Sequence, residues 1–338
     1  MRASTAVLID TSIRLWDMVF PGSQVLLART RSAYVHIDNL IAFSKSDRDG
    51  KVDAYLAVYL PDELALLFFL GGDLVNATML TPVGRFQASI AEAMRHIRAE
   101  PERAEIAFHA ASREQLAAMY ATCAQAPIDM GLDASSPESL FRVLLERRWT
   151  GLLELISNGR VNYLQVREGR FSSGLFADRR EDEAPTAYVS RLFTGGPGER
   201  TPHVAAKAYA EMAALPLQAP PAMVAMFRRF VWSLAELAEI EMPGDAGKRA
   251  ERVRTRLIAE HEVLKSVGGP RGSDAADPIA EPSVIADGVA AWARDFLNEL
   301  EVVHPQIAPR LLKDAAREHR FALSAVGFFA RLPWRIQW

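Results

Sequence analysis

The sequence predicts an α+β protein in which two tandem repeats of a small antiparallel sheet, each covered by helices, precede an α-helical C-terminal region. The first observation is an internal sequence repeat, because residues 55–77 align without a gap onto residues 152–174. In both copies an apolar strand, a polar turn, a second apolar strand, a glycine and a third strand follow in register, as a duplicated domain would leave them. The second observation is the long helical periodicity that begins after Pro216.

These two observations divide the 338 residues into three predicted domains, a number that the length allows. The first repeat with an N-terminal extension occupies residues 1–127, and the second repeat occupies residues 128–216. A helical domain occupies residues 217–338. Glycine and proline clusters predict a flexible loop within it at residues 268–283.

In the first repeat, Asp38 is expected to cap a short helix. Strands are predicted at about 52–60, 64–70 and 74–79, joined by hairpin turns at Pro61-Asp62-Glu63 and Gly71-Gly72-Asp73. Apolar residues at helical spacing then predict a covering helix, followed by a strand at 105–109 and a helix capped by Ser112; these apolar residues are Phe86, Ile90, Met94 and Ile97.

The second repeat follows the same plan, beginning with a helix that Ser136 and Pro137 open. Asn158-Gly159 predicts a type I′ hairpin turn, because both residues readily adopt positive φ values. Glu168-Gly169 predicts the next turn. A helix containing Tyr188 follows a charged connection.

The C-terminal region carries two apolar helical stripes on either side of a charged helix at about 248–267. The helices are expected to pair into a bundle. The first stripe comprises Met223, Phe227, Phe230, Val231, Leu234 and Leu237, and the second comprises Ile285, Val289, Trp292, Phe296 and Leu300.

Charge and cysteine content limit the functional classes. The formal net charge of −3 gives no long-range field strong enough to draw the protein onto nucleic acid, so nucleic acid is not an expected partner. One cysteine, Cys123, can form neither an internal disulfide nor a thiolate metal cluster. Asp10 and Asp17 interrupt the apolar character of Met1–Phe20, so no signal peptide is predicted and a cytoplasmic location is expected.

The second repeat resembles the bacterial PATAN domain, a module that accompanies many response regulators. The resemblance rests on Phe141-Arg142-Val143-Leu144-Leu145, on Trp149-Thr150-Gly151-Leu152-Leu153-Glu154-Leu155 and on Val166-Arg167-Glu168-Gly169-Arg170. In the first repeat, Gly72-Asp73-Leu74-Val75-Asn76-Ala77 matches the late part of the same pattern. Together the similar segments cover residues 36–195.

The resemblance implies a non-enzymatic signalling or scaffold protein that acts through protein–protein interaction, in two-component or surface-motility regulation. Its motifs are turn glycines and alternating apolar residues, so no catalytic residue is carried over. The residues themselves also predict no catalytic group, cofactor or metal site, since no nucleophile–base pair, metal-ligand spacing or phosphate loop is present. The expected partner is a protein, specifically a signalling component.

The C-terminal segment His319–Trp338 combines aromatic residues with arginines, a composition that often carries binding energy. Three interpretations remain open for it: packing against the rest of the protein, docking of a partner, or contact with a membrane surface. The candidate partner-binding residues are Phe328, Phe329, Arg331, Trp334, Arg335 and Trp338.

An alternative function is a sensor of a small ligand or nucleotide second messenger. In that hypothesis an anionic ligand binds between the repeats and contacts arginines of the second one. The candidate residues are Arg147, Arg148, Arg167 and Arg170, which can equally be solvated surface residues.

Overall fold

The computed structural model describes residues 14–45, 52–195, 202–269, 271 and 275–338. Contacts group the chain into one unit of residues 1–88 and 93–216 and a second unit of residues 89–92 and 217–338. The predictions for Met1–Phe20 and for the loop at 268–283 fall partly outside the described residues. Each unit is described below by itself.

The first unit contains two antiparallel sheets, which confirms the predicted α+β class. Sheet A has the order β1-β6-β2-β3-β4-β5 and sheet B has the order β10-β7-β8-β9 within the described chain. The strands of sheet A are β1 (Gln24–Arg31), β2 (Ala54–Tyr59), β3 (Leu64–Leu70), β4 (Asp73–Thr81), β5 (Gly84–Ala88) and β6 (Glu105–Ala110). Those of sheet B are β7 (Gly151–Ser157), β8 (Arg160–Arg167), β9 (Arg170–Leu175) and β10 (Val204–Tyr209).

Helices α1 to α5 accompany these sheets, and two of them begin at the predicted caps. The Ser112 hydroxyl accepts a hydrogen bond from the Gln115 amide, and the Ser136 hydroxyl accepts one from the Ser139 amide. Each cap satisfies an amide that lacks a partner inside its helix. The helices are α1 (Ile37–Phe43), α2 (Ile90–Ala99), α3 (Arg113–Ala124), α4 (Pro137–Glu146) and α5 (Pro185–Thr194).

The two repeats share strand register as well as element order. Ala54 pairs with Phe69 between β2 and β3, and the positions 97 residues later, Gly151 and Val166, pair between β7 and β8. A β-bulge interrupts β3–β4 between Phe68 and Phe69 and β8–β9 at the equivalent place. An internal duplication therefore accounts for the matching strand register of both sheets as well as for the internal sequence repeat.

One face of each sheet contributes to a shared core. Tyr55, Leu66 and Phe68 of sheet A belong to the same buried cluster as Leu152 and Tyr163 of sheet B. Helix α3 adds Leu116, Met119, Tyr120 and Cys123 to that cluster, and its residues 115–123 are all buried. The other face of sheet B packs against α4 and α5 through a second cluster that includes Leu140, Leu153, Leu164, Val189 and Leu192.

Two sequence predictions in the first repeat are wrong. Asp38 does not cap α1, because that helix begins at Ile37 and Asp38 lies in its first turn. Phe86 lies in strand β5 rather than in a helix, and it pairs with Met79 of β4. Its spacing from Ile90 matches a helix by coincidence, since α2 begins at Ile90 itself. Strands β1, β5 and β10 are also not among the elements that the sequence predicts.

The second unit is a bundle of helices, and the two predicted apolar stripes form its core. Phe227, Phe230, Trp292 and Phe296 are each almost completely buried within it. None of the described helices is both long enough and apolar enough to span a bilayer. The helices are α6 (Pro221–Glu241), α7 (Ala246–Leu257), α8 (Leu264–Val267), α9 (Pro282–Glu301), α10 (Ile307–Ala316) and α11 (Arg320–Ala325).

Candidate functional site

The turn between β8 and β9 brings the four candidate arginines to one end of sheet B. Glu168 and Gly169 have φ values of 49° and 79°, and the Gly169 amide donates a 2.7 Å hydrogen bond to the Trp149 carbonyl. This bond holds the turn against the end of α4. Arg147 and Arg148 follow α4 directly, while Arg167 and Arg170 face each other across the turn.

These arginines lie on an open surface. All four are exposed, and Arg167 makes two hydrogen bonds to the Glu211 carboxylate. Arg147, Arg148 and Arg170 form no ion pair within the described part of the chain, and acidic Glu146 and Glu168 lie among them in sequence. Exposed charges of mixed sign contribute little binding energy individually, because water screens them. The structure thus brings the four arginines to one end of sheet B but does not enclose them.

A cleft of about 270 Å³ opens between the first turns of α4 and α5, on the outer side of sheet B. We call it the α4–α5 groove. Proline occupies the first turn of both helices, where its missing amide costs no helical hydrogen bond. The residues that line the groove are Pro137, Glu138, Phe141, Phe171, Pro185, Thr186, Val189 and Ser190.

Polar contacts beneath and beside α5 fix the position of one groove wall. The Tyr188 hydroxyl donates to Asp178 Oδ1 at 2.6 Å, and burial together with this carboxylate raises the pKa of Tyr188. Arg191 makes two 2.9 Å hydrogen bonds to Glu183, which lower the pKa of that carboxyl. The Arg191 guanidinium also lies 4.8 Å from the centre of the Tyr188 ring. These contacts hold α5, which forms one wall of the groove, in place.

Strand β9 forms an edge of sheet B next to this groove. In the described chain it has a strand neighbour only on the β8 side. A β-bulge lies where Val166 pairs with Phe171 and Gln165 pairs with Ser173, so Ser172 has no partner in register. Phe171 lines the groove, while Arg170, Ser172 and Ser173 are exposed. An unpaired strand edge and an apolar groove thus meet at one residue, Phe171.

The candidate residues of the C-terminal segment have different environments within the helical unit. Phe328 is fully buried, with its ring centre 4.9 Å from that of Phe230. Arg331 donates to the carbonyls of Val326 and Gly327 and pairs with Asp287. Its role is to hold the chain against α9.

The remaining candidates lie closer to the surface. Trp334 and Phe329 are partly buried against the bundle core, whereas Arg335 and Trp338 are exposed. The rings of Phe329 and Trp338 meet edge to face at 5.4 Å. Packing, the first of the three interpretations, therefore describes Phe328, Phe329 and Trp334, and the exposed members of the six candidates are Arg335 and Trp338.

Groups with potential chemistry elsewhere have structural environments. Burial raises the pKa of the Cys123 thiol, which opposes formation of a reactive thiolate. Among the described residues, no three potential metal-ligating side chains come together. Gly71 and Gly72 form the β3–β4 turn, with φ values of 56° and 80°.

Sequence reasoning missed two features of the first unit. One is the α4–α5 groove, whose only sequence signal is a proline in the first turn of each helix together with Phe141 and Phe171. The other is a buried ion pair between Arg85 and Glu154, 69 residues apart, for which the sequence contains no local signal.

Comparison of the chain with models of protein families, with curated proteins and with solved structures finds no match in any of the three.

Proposed function

We propose that this protein is a non-enzymatic, cytoplasmic bacterial signalling or scaffold protein that binds an extended segment of a partner protein along β9 and in the α4–α5 groove. One observation carries the proposal: the unpaired edge of β9 meets an apolar groove at Phe171. The resemblance of the second repeat to PATAN modules agrees with a role in protein–protein signalling.

The two parts of this surface supply different components of recognition. A partner strand that adds to β9 forms main-chain hydrogen bonds, which provide affinity without reading sequence. The groove then selects for a side chain. Because Phe141, Phe171 and Val189 line it, an apolar side chain of the partner removes apolar surface from water on entering.

The size of the groove favours a peptide side chain over a complete small molecule. Its volume of about 270 Å³ is below the roughly 300–1,000 Å³ typical of small-molecule sites. The sensor alternative receives less support at the candidate arginines, since all four are exposed to solvent.

The proposal is tested by selecting binders from a displayed library of random linear peptides. Selected peptides are then measured against Ser190→Arg, which places a long side chain in the groove from an exposed position on α5. Ala187→Arg is the matched control, because Ala187 is also exposed on α5 but does not line the groove. Both variants add the same charge to the same helix.

We expect selected peptides to contain a large apolar residue and to lose at least about tenfold in affinity with Ser190→Arg, equivalent to about 1.4 kcal/mol. The same peptides should bind Ala187→Arg as they bind the unmodified protein. The proposal is wrong if the library yields no binder, or if every binder tolerates Ser190→Arg.

A further inference from the structure

The core between the two sheets contains an ion pair that is sealed from solvent. Arg85 Nη1 on β5 lies 2.6 Å from Glu154 Oε1 on β7, and the two side chains are 1% and 0% exposed. Two ions buried this deeply carry a desolvation cost of several kcal/mol each, which a single hydrogen bond does not offset. The remaining polar atoms of the pair therefore need partners too.

Those atoms have no hydrogen-bond partner within the protein. On the ion pair they are Arg85 Nε, Arg85 Nη2 and Glu154 Oε2. One nearly fully buried neighbour adds a further atom in the same state, Tyr209 OH on β10. Tyr163 on β8 also lies beside the pair, but its hydroxyl has the Thr122 side chain as a hydrogen-bonding neighbour.

These side chains form one polar cluster. Tyr163 lies directly across from Glu154 in the β7–β8 register, on the face of sheet B that points into the shared core. Both tyrosines are close enough to Arg85 and Glu154 for their charges to affect the tyrosine pKa values. The four unpartnered atoms are Arg85 Nε, Arg85 Nη2, Glu154 Oε2 and Tyr209 OH, and so many in one buried cluster are unusual because most buried polar groups are hydrogen-bonded.

The charge of the cluster determines what can occupy it. Arg85 and Glu154 cancel each other, and burial raises the pKa values of Tyr163 and Tyr209, so both phenols are neutral. A bound anion or cation would leave a net charge in the core, where it would be strongly destabilised. A neutral molecule that both donates and accepts hydrogen bonds avoids that cost.

We propose that the Arg85–Glu154 cluster is an internal water site, in which one or more ordered water molecules bridge the sheets of the two repeats. In a guanidinium the Nε and Nη2 hydrogens point the same way, so one water oxygen can accept from both. That water can donate in turn to Glu154 Oε2 or to a phenol oxygen. Buried waters typically make about three such hydrogen bonds.

The sign of one conservative substitution tests the site. If water satisfies the Tyr209 hydroxyl, Tyr209→Phe removes a hydrogen bond and should lower the folding equilibrium constant about fivefold. If that hydroxyl has no partner, the same substitution removes a buried polar atom at no loss and should raise the constant. Tyr59→Phe is the control, because the Tyr59 hydroxyl donates directly to the Met18 carbonyl at 2.8 Å. It should lower the constant in either case.

A crystal structure of the full chain distinguishes water from a rearranged side chain. We expect electron density for water within hydrogen-bond distance of Arg85 Nε and Nη2. The proposal is overturned if Tyr209→Phe stabilises the protein. It is equally overturned if the crystal shows these atoms bonded directly to protein groups with no water between them.

Discussion

Gly72 and Gly169 occupy equivalent positions in the two repeats and make the same backbone hydrogen bond. Their φ values are 80° and 79°, and their amides donate to the carbonyls of Val52 and Trp149, which are themselves 97 positions apart. In both repeats the glycine turn packs against the end of a helix. A Cβ at Gly72 would lie 2.3 Å from the Ser44 carbonyl oxygen, and one at Gly169 would lie 2.3 Å from Leu145 Cα. The duplication has thus preserved a backbone contact that only glycine permits.

We therefore expect Gly72→Ala and Gly169→Ala to destabilise the protein by more than about 2 kcal/mol each, as measured by urea unfolding. Both the positive φ and the missing space oppose the added methyl group. Gly131→Ala is the control, because Gly131 has a φ of 56° but a Cβ there would have no atom within 4 Å. It should cost about 1–2 kcal/mol, the conformational penalty alone. Equal losses at all three positions would show that the helix–turn contact does not matter.

The pairing of Arg85 with Glu154 predicts an asymmetry between single and double substitutions. Arg85→Met leaves Glu154 buried without its counter-ion, and we expect a loss of about 3–5 kcal/mol in the free energy of unfolding. Glu154→Met should be similarly damaging, because it leaves the Arg85 guanidinium unpaired. The double variant Arg85→Met/Glu154→Met should recover most of that loss, since an apolar pair of similar volume is tolerated in such places. Urea unfolding of all four proteins completes the cycle, and additive losses in the double variant would contradict the argument.

The position of the ion pair also distinguishes the second repeat from the first. The positions equivalent to Glu154 and Tyr163 in the first repeat are Ala57 and Leu66, which pair across β2 and β3 as Glu154 and Tyr163 pair across β7 and β8. Sheet A therefore presents an apolar pair where sheet B presents a polar one. Polar groups buried in only one of two similar surfaces can specify which surface pairs with which.

Local signals explain which parts of the fold could be predicted from sequence. The turn at Asn158-Gly159 and the cap at Ser136 each depend on residues a few positions apart, and both occur as predicted. Strand β5 was not predicted, because it has only five residues and because Phe86 lies at a helical spacing from Ile90. Helix α3 could be predicted from its cap, but its burial on all sides could not. A helix that is apolar on every face has no hydrophobic periodicity from which its buried face could be predicted.

The candidate sites were harder to predict because their residues meet only through tertiary structure. Phe141, Phe171 and Val189 lie on three different elements, and no spacing in the sequence relates them. The aromatic and basic composition of the C-terminal segment was recognisable, but composition does not distinguish a core residue such as Phe328 from an exposed one such as Trp338.

His109 should make the stability of the protein depend on pH. Burial lowers the pKa of His109, whose ring stacks on Tyr55 with centres 5.2 Å apart. The unfolded chain therefore binds the proton more tightly, with a pKa of about 6.5. The contribution to stability is complete above that value and is lost as the pH falls from there towards the lower pKa of the folded state.

We expect His109→Phe to remove this loss of stability on acidification, because phenylalanine retains the ring but does not titrate. The measurement is the free energy of unfolding in urea at a series of pH values from neutral to mildly acidic. His304→Phe is the control, since His304 is exposed in the helical unit. A pH profile that His109→Phe leaves unchanged would rule out this residue as the source.

Replacing Phe328 by alanine should destabilise the protein far more than replacing Phe321, although both residues belong to the aromatic C-terminal segment. Phe328 is fully buried against Phe227 and Phe230, whereas the Phe321 side chain is 75% exposed. We expect Phe328→Ala to cost about 3–5 kcal/mol in the unfolding of the helical unit, because it leaves a cavity in a packed core. Phe321→Ala should change stability by no more than about 0.5 kcal/mol. Urea unfolding followed by tryptophan fluorescence measures both effects.

The Phe321→Ala variant also tests whether the exposed aromatic surface binds a partner. If this variant stays folded but releases a partner, that surface is a second docking site. Deleting the whole segment cannot show this, because the deletion also removes Phe328 and Leu332 from the core.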